Sequence, residues 1–230
     1  MNEDVILVSQ ATDIERAVFY KKTYLHVAMA ILSFMVIEGF LLRAVPQEFI
    51  MQMMSGKYIW LFIIGLFWVG SILADRLAFS VSRNTQYLGL GLFVLLEAII
   101  FLPVLYIALV MTDGAAVVQQ AAVITLFMFG GLTAVVFLTK KDFSFLRSAL
   151  VIGGFVALGL IVAGAIFGFN LGLWFSVAMV ALAAGSILYQ TSEIKNKYAT
   201  GQYVGAALQL FSSVMLLFWY ILRILMSRRD

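Results

Sequence analysis

Acidic and hydrogen-bonding side chains inside long apolar runs are where this sequence could do chemistry. Glu97 stands in the middle of the apolar run 87–110, six residues before Pro103. A charged side chain at mid-membrane costs about 2.5–3.5 kcal/mol on insertion scales, so an acid placed there is a functional candidate. The proline removes a helical hydrogen bond and frees a carbonyl, which offers a cation a second kind of oxygen. The other reading of Glu97 is a protonated or hydrogen-bonded structural acid. Glu38, toward the end of the first run, is expected to snorkel to water. Asp75-Arg76 reads as an interfacial ion pair. A second group gathers at the last two runs, where Gln190, Ser212 and Ser213 stand with Gln209 nearby. They can donate and accept hydrogen bonds but carry no titratable proton, and they read as a pathway or gate rather than a catalytic set.

Other chemistries fall away on residue type. Cysteine is absent and His26 is the single histidine, which removes disulfides, thiol catalysis and zinc sites built from nitrogen and sulfur. Serine hydrolysis needs a nucleophile beside a positioned base, and nothing in the sequence brings Ser212 or Ser213 to His26. A retinal Schiff base needs a buried lysine, yet none occurs from Tyr203 onward. No enzyme activity, metal or cofactor is expected, and the small basic excess, placed at the ends of apolar runs, is not a nucleic-acid signal.

The elements that must hold these residues are set by composition. The chain is 63% hydrophobic and 12% charged, with a mean hydropathy of +1.05. Soluble domains are nearer half apolar and a quarter charged, so the solvent is the lipid bilayer. Seven runs are long enough to cross it: about 24–42, 58–74, 87–110, 115–138, 149–169, 173–189 and 204–225. They are continuously apolar and about twice the length of barrel strands, so an all-α polytopic bundle follows. Residues 46–54 suit a short interfacial helix begun by Pro46. The glycines, with Ala181, Ala183, Ala184, Ala206 and Ala207, read as close helix–helix packing. One transmembrane domain, 23–226, is expected between a polar tail, 1–22, and a polar end, 227–230. The Lys/Arg tally puts the N-terminus in the cytoplasm and the C-terminus across the membrane, whereas a re-entrant last run, which the basic C-terminal end would suit, puts both termini in the cytoplasm. The tail to Ala17 has no signal-peptide pattern and is expected to be dynamic, a handle for partners.

Three stretches carry a resemblance. Phe19-Tyr20-Lys21-Lys22-Thr23-Tyr24, then Thr139-Lys140-Lys141-Asp142-Phe143-Ser144-Phe145-Leu146, and the hairpin from Gly185-Ser186-Ile187-Leu188-Tyr189-Gln190 to Ala206-Ala207-Leu208-Gln209-Leu210 resemble the Bax inhibitor-1 family. The resemblance runs from about Phe19 to Leu225. It implies seven helices with the last one central and a pH-sensitive calcium leak. For bacterial relatives it also implies modulation of a membrane-bound protease, and for eukaryotic ones suppression of cell death. The family's pH sensor is a pair of aspartates, whose positions correspond here to Gln190 and Ser213. Leu216 stands where the family often has asparagine. The arginine late in the last helix is matched by Arg223, and a second-helix arginine loosely by Arg76. This is therefore a divergent member lacking the di-aspartyl sensor.

The expectation is a calcium or cation leak, or a stress modulator, without that gate, its candidate path being Gln190, Ser213, Ser212, Glu97, Arg223 and Arg76. A non-conducting regulator of a membrane protease or other membrane partner is the alternative. A secondary transporter ranks below both, since no internal repeat is evident. A bacterial inner membrane is preferred over an organelle membrane.

Overall fold

Backbone groups in lipid must be paired within their own segment, and each long apolar run closes into a helix. The computed structural model describes residues 6–111, 114–139 and 141–227, with the side chains of Ser55, Lys57 and Met111 left aside. Lys140, Arg228 and Arg229 of the Lys/Arg tally lie outside the described residues. The helices are α1 (Asp13–Ala44), α2 (Gln47–Ser55), α3 (Lys57–Ala78), α4 (Arg83–Met111), α5 (Ala115–Leu138), α6 (Leu146–Phe167), α7 (Gly172–Asn196) and α8 (Tyr203–Ser227). Among the described residues, seven helices, all but α2, are long and apolar enough to cross a membrane, and no strand occurs.

Boundaries follow local chemistry. α1 starts at a capping box, in which Glu15 N–H donates to Thr12 Oγ1 and Thr12 N–H donates to the Glu15 carboxylate. Its 32 residues span about 48 Å at 1.5 Å per residue, against a hydrocarbon core of about 30 Å. The apolar stretch 24–42 is thus one part of a longer helix. α6 ends at Gly168 in the left-handed region (φ 75°), whose N–H donates to the Gly164 carbonyl at 2.9 Å. Asn170 Oδ1 then accepts from Gly172 N–H at 2.9 Å to turn the chain into α7.

The last helix is the centre of the bundle. α8 packs against α1, α3, α4, α5 and α7, and Leu208, Leu210, Phe211, Leu217 and Leu222 are fully buried along it. α6 sits differently. It is held along α7, touches α3, and meets α8 at Tyr220, where Ala157 and Met179 complete a small separate cluster. Between α3, α6 and α8 a space is left.

Small residues set how closely the helices approach, as lipid packing requires. Ala183, Ala206 and Ala207 are buried as expected, whereas Ala181 is exposed. The tightest crossing was not singled out in the sequence: a Cβ on Gly89 of α4 would lie 2.5 Å from Ala78 N and 2.6 Å from Ala74 O of α3. Gly205 of α8 lies against the Phe79 ring in the same way.

The expectation of a dynamic tail is corrected for the residues described. Val8 N–H donates to the Tyr198 carbonyl at 2.8 Å and Thr200 N–H to the Ile6 carbonyl at 3.0 Å, forming an antiparallel bridge between Leu7 and Ala199. Val8 and Ala11 are buried, and Asp13 onward is helix. Apolar side chains within a polar-looking segment give it a surface to dock with, so it straps the α7–α8 connection. That side of the bundle is termed proximal. The opposite side, where α1 ends and α3 begins, is distal.

Because backbone atoms cannot yield at Gly89, Gly89→Ala is expected to destabilise the bundle by about 1–3 kcal/mol. Gly91→Ala, with open space around it, serves as the control. Thermal unfolding in detergent reads both, and equal midpoints for the two variants would refute the close crossing.

Candidate functional site

The space between α3, α6 and α8 is a cavity of about 680 Å³. Its distal end carries Trp60 at the start of α3, Asn170 in the α6–α7 turn and Arg223 late in α8; its deeper lining includes Glu97 of α4 and Ser212 of α8. Ser212 and Arg223 are eleven residues apart on one helix, about 16 Å along its axis. The cavity therefore runs from the distal side to mid-helix. Glu97 is 6% exposed and makes no hydrogen bond or ion pair with any described residue. The walls are mostly aromatic: Phe67, Phe101, Trp68, Trp219 and Tyr220 join Trp60. Phe101 holds this wall in place, stacked on Phe218 at 5.8 Å and meeting Trp219 edge-on at 4.8 Å.

From the level of this floor toward the proximal side, the α7–α8 seam is tied by side chains. Ser213 Oγ donates to the Gln209 carbonyl at 3.1 Å, so the Ser186 hydroxyl is the donor in the 2.8 Å Ser186–Ser213 contact. One turn further toward the proximal side, Gln190 Nε2 donates to Gln209 Oε1 at 3.1 Å, and Gln209 Nε2 donates to Asp75 Oδ1 at 2.5 Å. A carboxylate only accepts, which fixes the Gln209 amide and makes the Gln190–Gln209–Asp75 chain one-directional. Three helices, α7, α8 and α3, are thereby linked at one level.

This arrangement corrects several expectations. Gln190 and Ser213, at the positions that correspond to the family's aspartate pair, are not partners of each other, because the antiparallel register pairs 190 with 209 and 186 with 213. The hairpin site is not free of titratable groups, since Asp75 joins it. Asp75 and Arg76 form no ion pair: Asp75 turns inward to Gln209 while Arg76 is exposed and lines neither the cavity nor the seam. Arg76 therefore does not belong to the site geometrically, whereas Glu97, Ser212 and Arg223 share one cavity. Glu38 does not snorkel. It is 3% exposed and both carboxyl oxygens are buried without a hydrogen-bond partner. Phe34 of α1 meets Phe101 of α4. Glu38 lies one turn distal of Phe34 and Glu97 one turn proximal of Phe101, so the two acids sit about 12 Å apart along the bundle.

The Thr139–Leu146 stretch also gains a role. Asp142 accepts from Ser144 N–H and from the Ser192 hydroxyl, both at 2.9 Å, while Ser192 Oγ accepts from Phe143 N–H at 3.1 Å. The Ser144 N–H and the Ser192 hydroxyl hold the Asp142 carboxyl below its usual range. Lys195 Nζ donates to the Val136 and Thr139 carbonyls at the end of α5, both at 3.3 Å, where a cation is favoured. The connection thus lashes the ends of α5 and α7 together. At the other proximal corner, the Tyr203 ring lies between Lys22 and Arg83, 5.0 and 4.2 Å from its centre. His26 Nδ1–H donates to the Lys22 carbonyl at 2.7 Å.

A seven-span helical bundle with a central last helix and a polar α7–α8 seam defines a class of polytopic membrane protein. The sequence profile described as "Inhibitor of apoptosis-promoting Bax1" matches residues 16–230. The chain belongs to the Bax inhibitor-1 family. It is 35% identical over 123 residues to an uncharacterized protein of Pseudomonas aeruginosa, a match covering 53% of this chain and 55% of that protein. It is 32% identical over 130 residues to an uncharacterized membrane protein of Vibrio cholerae, covering 54% and 55% respectively. The chain thus aligns with about half the length of the curated relatives it matches.

Hydrogen bonds to a charged group contribute about 1.5–3 kcal/mol, so Gln209→Leu, which unlinks both neighbours, is expected to lower the unfolding midpoint. Asp75→Asn keeps an acceptor for Gln209 and is expected to lower it less. Thermal unfolding of the purified variants measures both effects. A Gln209→Leu protein as stable as the parent would show that the three-helix link contributes nothing.

Proposed function

We propose that the protein is a cation leak of the bacterial plasma membrane, calcium being the ion first to test. Its entry would be the distal cavity and its selective group Glu97. The observation that carries this reading is one carboxyl, unpaired and almost fully buried, at the floor of a cavity reaching the distal side. An acid held inside a bundle without a partner is costly to keep, and a passing cation supplies the missing charge. Arg223 near the mouth and Ser212 at the floor flank that step. The gate would be the α7–α8 seam, in which Asp75 is the one carboxylate and Gln190 and Gln209 replace a second. A pair of carboxylates sharing a proton gives a steep response because both cannot ionise cheaply; one carboxylate hydrogen-bonded to an amide lacks that coupling. The bacterial relatives and the Lys/Arg distribution favour this membrane, with the N-terminus in the cytoplasm.

One observation favours a second reading, a non-conducting regulator of a membrane protease or other membrane partner. Beside the cavity floor, Ser213 is buried and hydrogen-bonded, so the seam works equally well as plain helix packing. The docked segment 6–12 is poorly suited to be that regulator's free handle, and a partner would have to displace its bridge to Ala199.

Calcium flux in proteoliposomes measured against pH separates the readings. The leak reading expects flux that falls at least tenfold in Glu97→Gln and shows no half-unit-wide transition near pH 7. Flux indifferent to Glu97→Gln, or a steep transition near neutrality abolished by Gln190→Ala, would overturn it. Absence of flux with retained folding would leave the regulator.

A further inference from the structure

The cavity has the chemistry of a receptor site for a large organic cation, quite apart from whether metal ions cross the membrane. A calcium ion held tightly wants six to eight oxygens at about 2.3–2.6 Å. Near the floor the side-chain oxygens are the Glu97 carboxyl and the Ser212 hydroxyl, and Glu97 is the one carboxylate among the described lining residues. Most of the wall is ring surface. Three of the four tryptophans, Trp60, Trp68 and Trp219, line it with Phe67, Phe101 and Tyr220. Aromatic faces attract cations by their quadrupole, most strongly when the cation is desolvated, and recognition of quaternary ammonium groups by aromatic cages uses this. A weakly hydrated cation also gives up its water readily on entering such a site. The volume of about 680 Å³ falls in the range of pockets for drug-sized ligands, about 300–1,000 Å³.

The two charged residues of the lining are separated along the cavity. Glu97 lies one turn proximal of Phe101, at the deep end with Ser212, and Arg223 lies about three turns from Ser212 toward the distal side. A cation is therefore drawn to the deep end, and its apolar body is left among the rings between the two. We propose that this cavity binds lipophilic organic cations, such as quaternary ammonium or phosphonium compounds, with the cationic centre at Glu97 and the body against Trp60, Trp68 and Trp219. Binding of this kind requires the cavity and its carboxyl but no conduction, so it stands or falls separately from the leak reading.

The test is equilibrium binding of labelled tetraphenylphosphonium to the full-length protein in nanodiscs, corrected for empty nanodiscs, with intrinsic tryptophan fluorescence as a second signal. Trp174, the fourth tryptophan, is 84% exposed outside the cavity, and Trp174→Phe removes its background. The expected result is saturable binding that weakens at least tenfold in Glu97→Gln and recovers to within a few-fold in Glu97→Asp. Leu216→Trp, which fills the cavity and leaves Glu97 in place, is expected to weaken binding as well and guards against a Glu97→Gln protein that misfolds. Tetraphenylborate, the same shape with opposite charge, should compete at least tenfold less well. No saturable phosphonium binding, binding unchanged in either Glu97→Gln or Leu216→Trp, or equal competition by the borate would each overturn the proposal; the last would mark an apolar site open to any lipid-like molecule.

Discussion

The structure depends on one constraint: polar groups taken into the bilayer must find their partners inside the bundle. α8 is where this is resolved. Gln209 lies on the central helix and donates to Asp75 of α3 while accepting from Gln190 of α7. Without this amide the carboxyl of Asp75 would lose its recorded hydrogen bond, and three helices would lose their common level. The Ser186–Ser213 contact repeats the device one turn away. Near the same level Glu97 faces the cavity instead.

The cavity follows from how α6 is attached. α6 packs along α7 and meets α8 around Tyr220, so the face of α8 carrying Ser212, Leu216 and Trp219 is left uncovered. The Phe101, Phe218 and Trp219 rings keep that face rigid. Close crossings elsewhere, at Gly89 and Gly205, leave the rest of the bundle too tight for a second space of this kind in α3–α4 or at the start of α8. Glu38 stands outside this accounting, as do the buried hydroxyls of Thr23, Tyr24, Thr133 and Thr191. Glu38 is buried without a partner, and the geometry around it offers no role.

Helices and their number were legible in the sequence because continuous apolar runs of about twenty residues have one solution in lipid. The central place of the last helix was legible through the family resemblance. Glu97 and Ser212 could be nominated as polar groups within runs, but not paired, because their meeting depends on how α6 leaves α8 uncovered. Asp75 was misread for a similar reason. Its neighbour Arg76 is adjacent in sequence, while its actual partner lies 134 residues away, and helix rotation decides between them. The hairpin register was also out of reach: pairing 190 with 209 rather than 213 is a one-turn difference that no local signal encodes. The docked N-terminal segment was hidden because two bridging hydrogen bonds and one buried valine leave no periodic pattern.

The central claim is that the cavity opens to one side and ends at the α7–α8 seam. The chain has no cysteine, so single-cysteine variants report on this directly. Ser212→Cys and Ser186→Cys can be compared for reaction with a membrane-impermeant thiosulfonate applied to each face of oriented membrane vesicles. The account predicts that Ser212→Cys reacts from one face and Ser186→Cys from neither. Labelling of Ser212→Cys from both faces, or of Ser186→Cys at a similar rate, would contradict it.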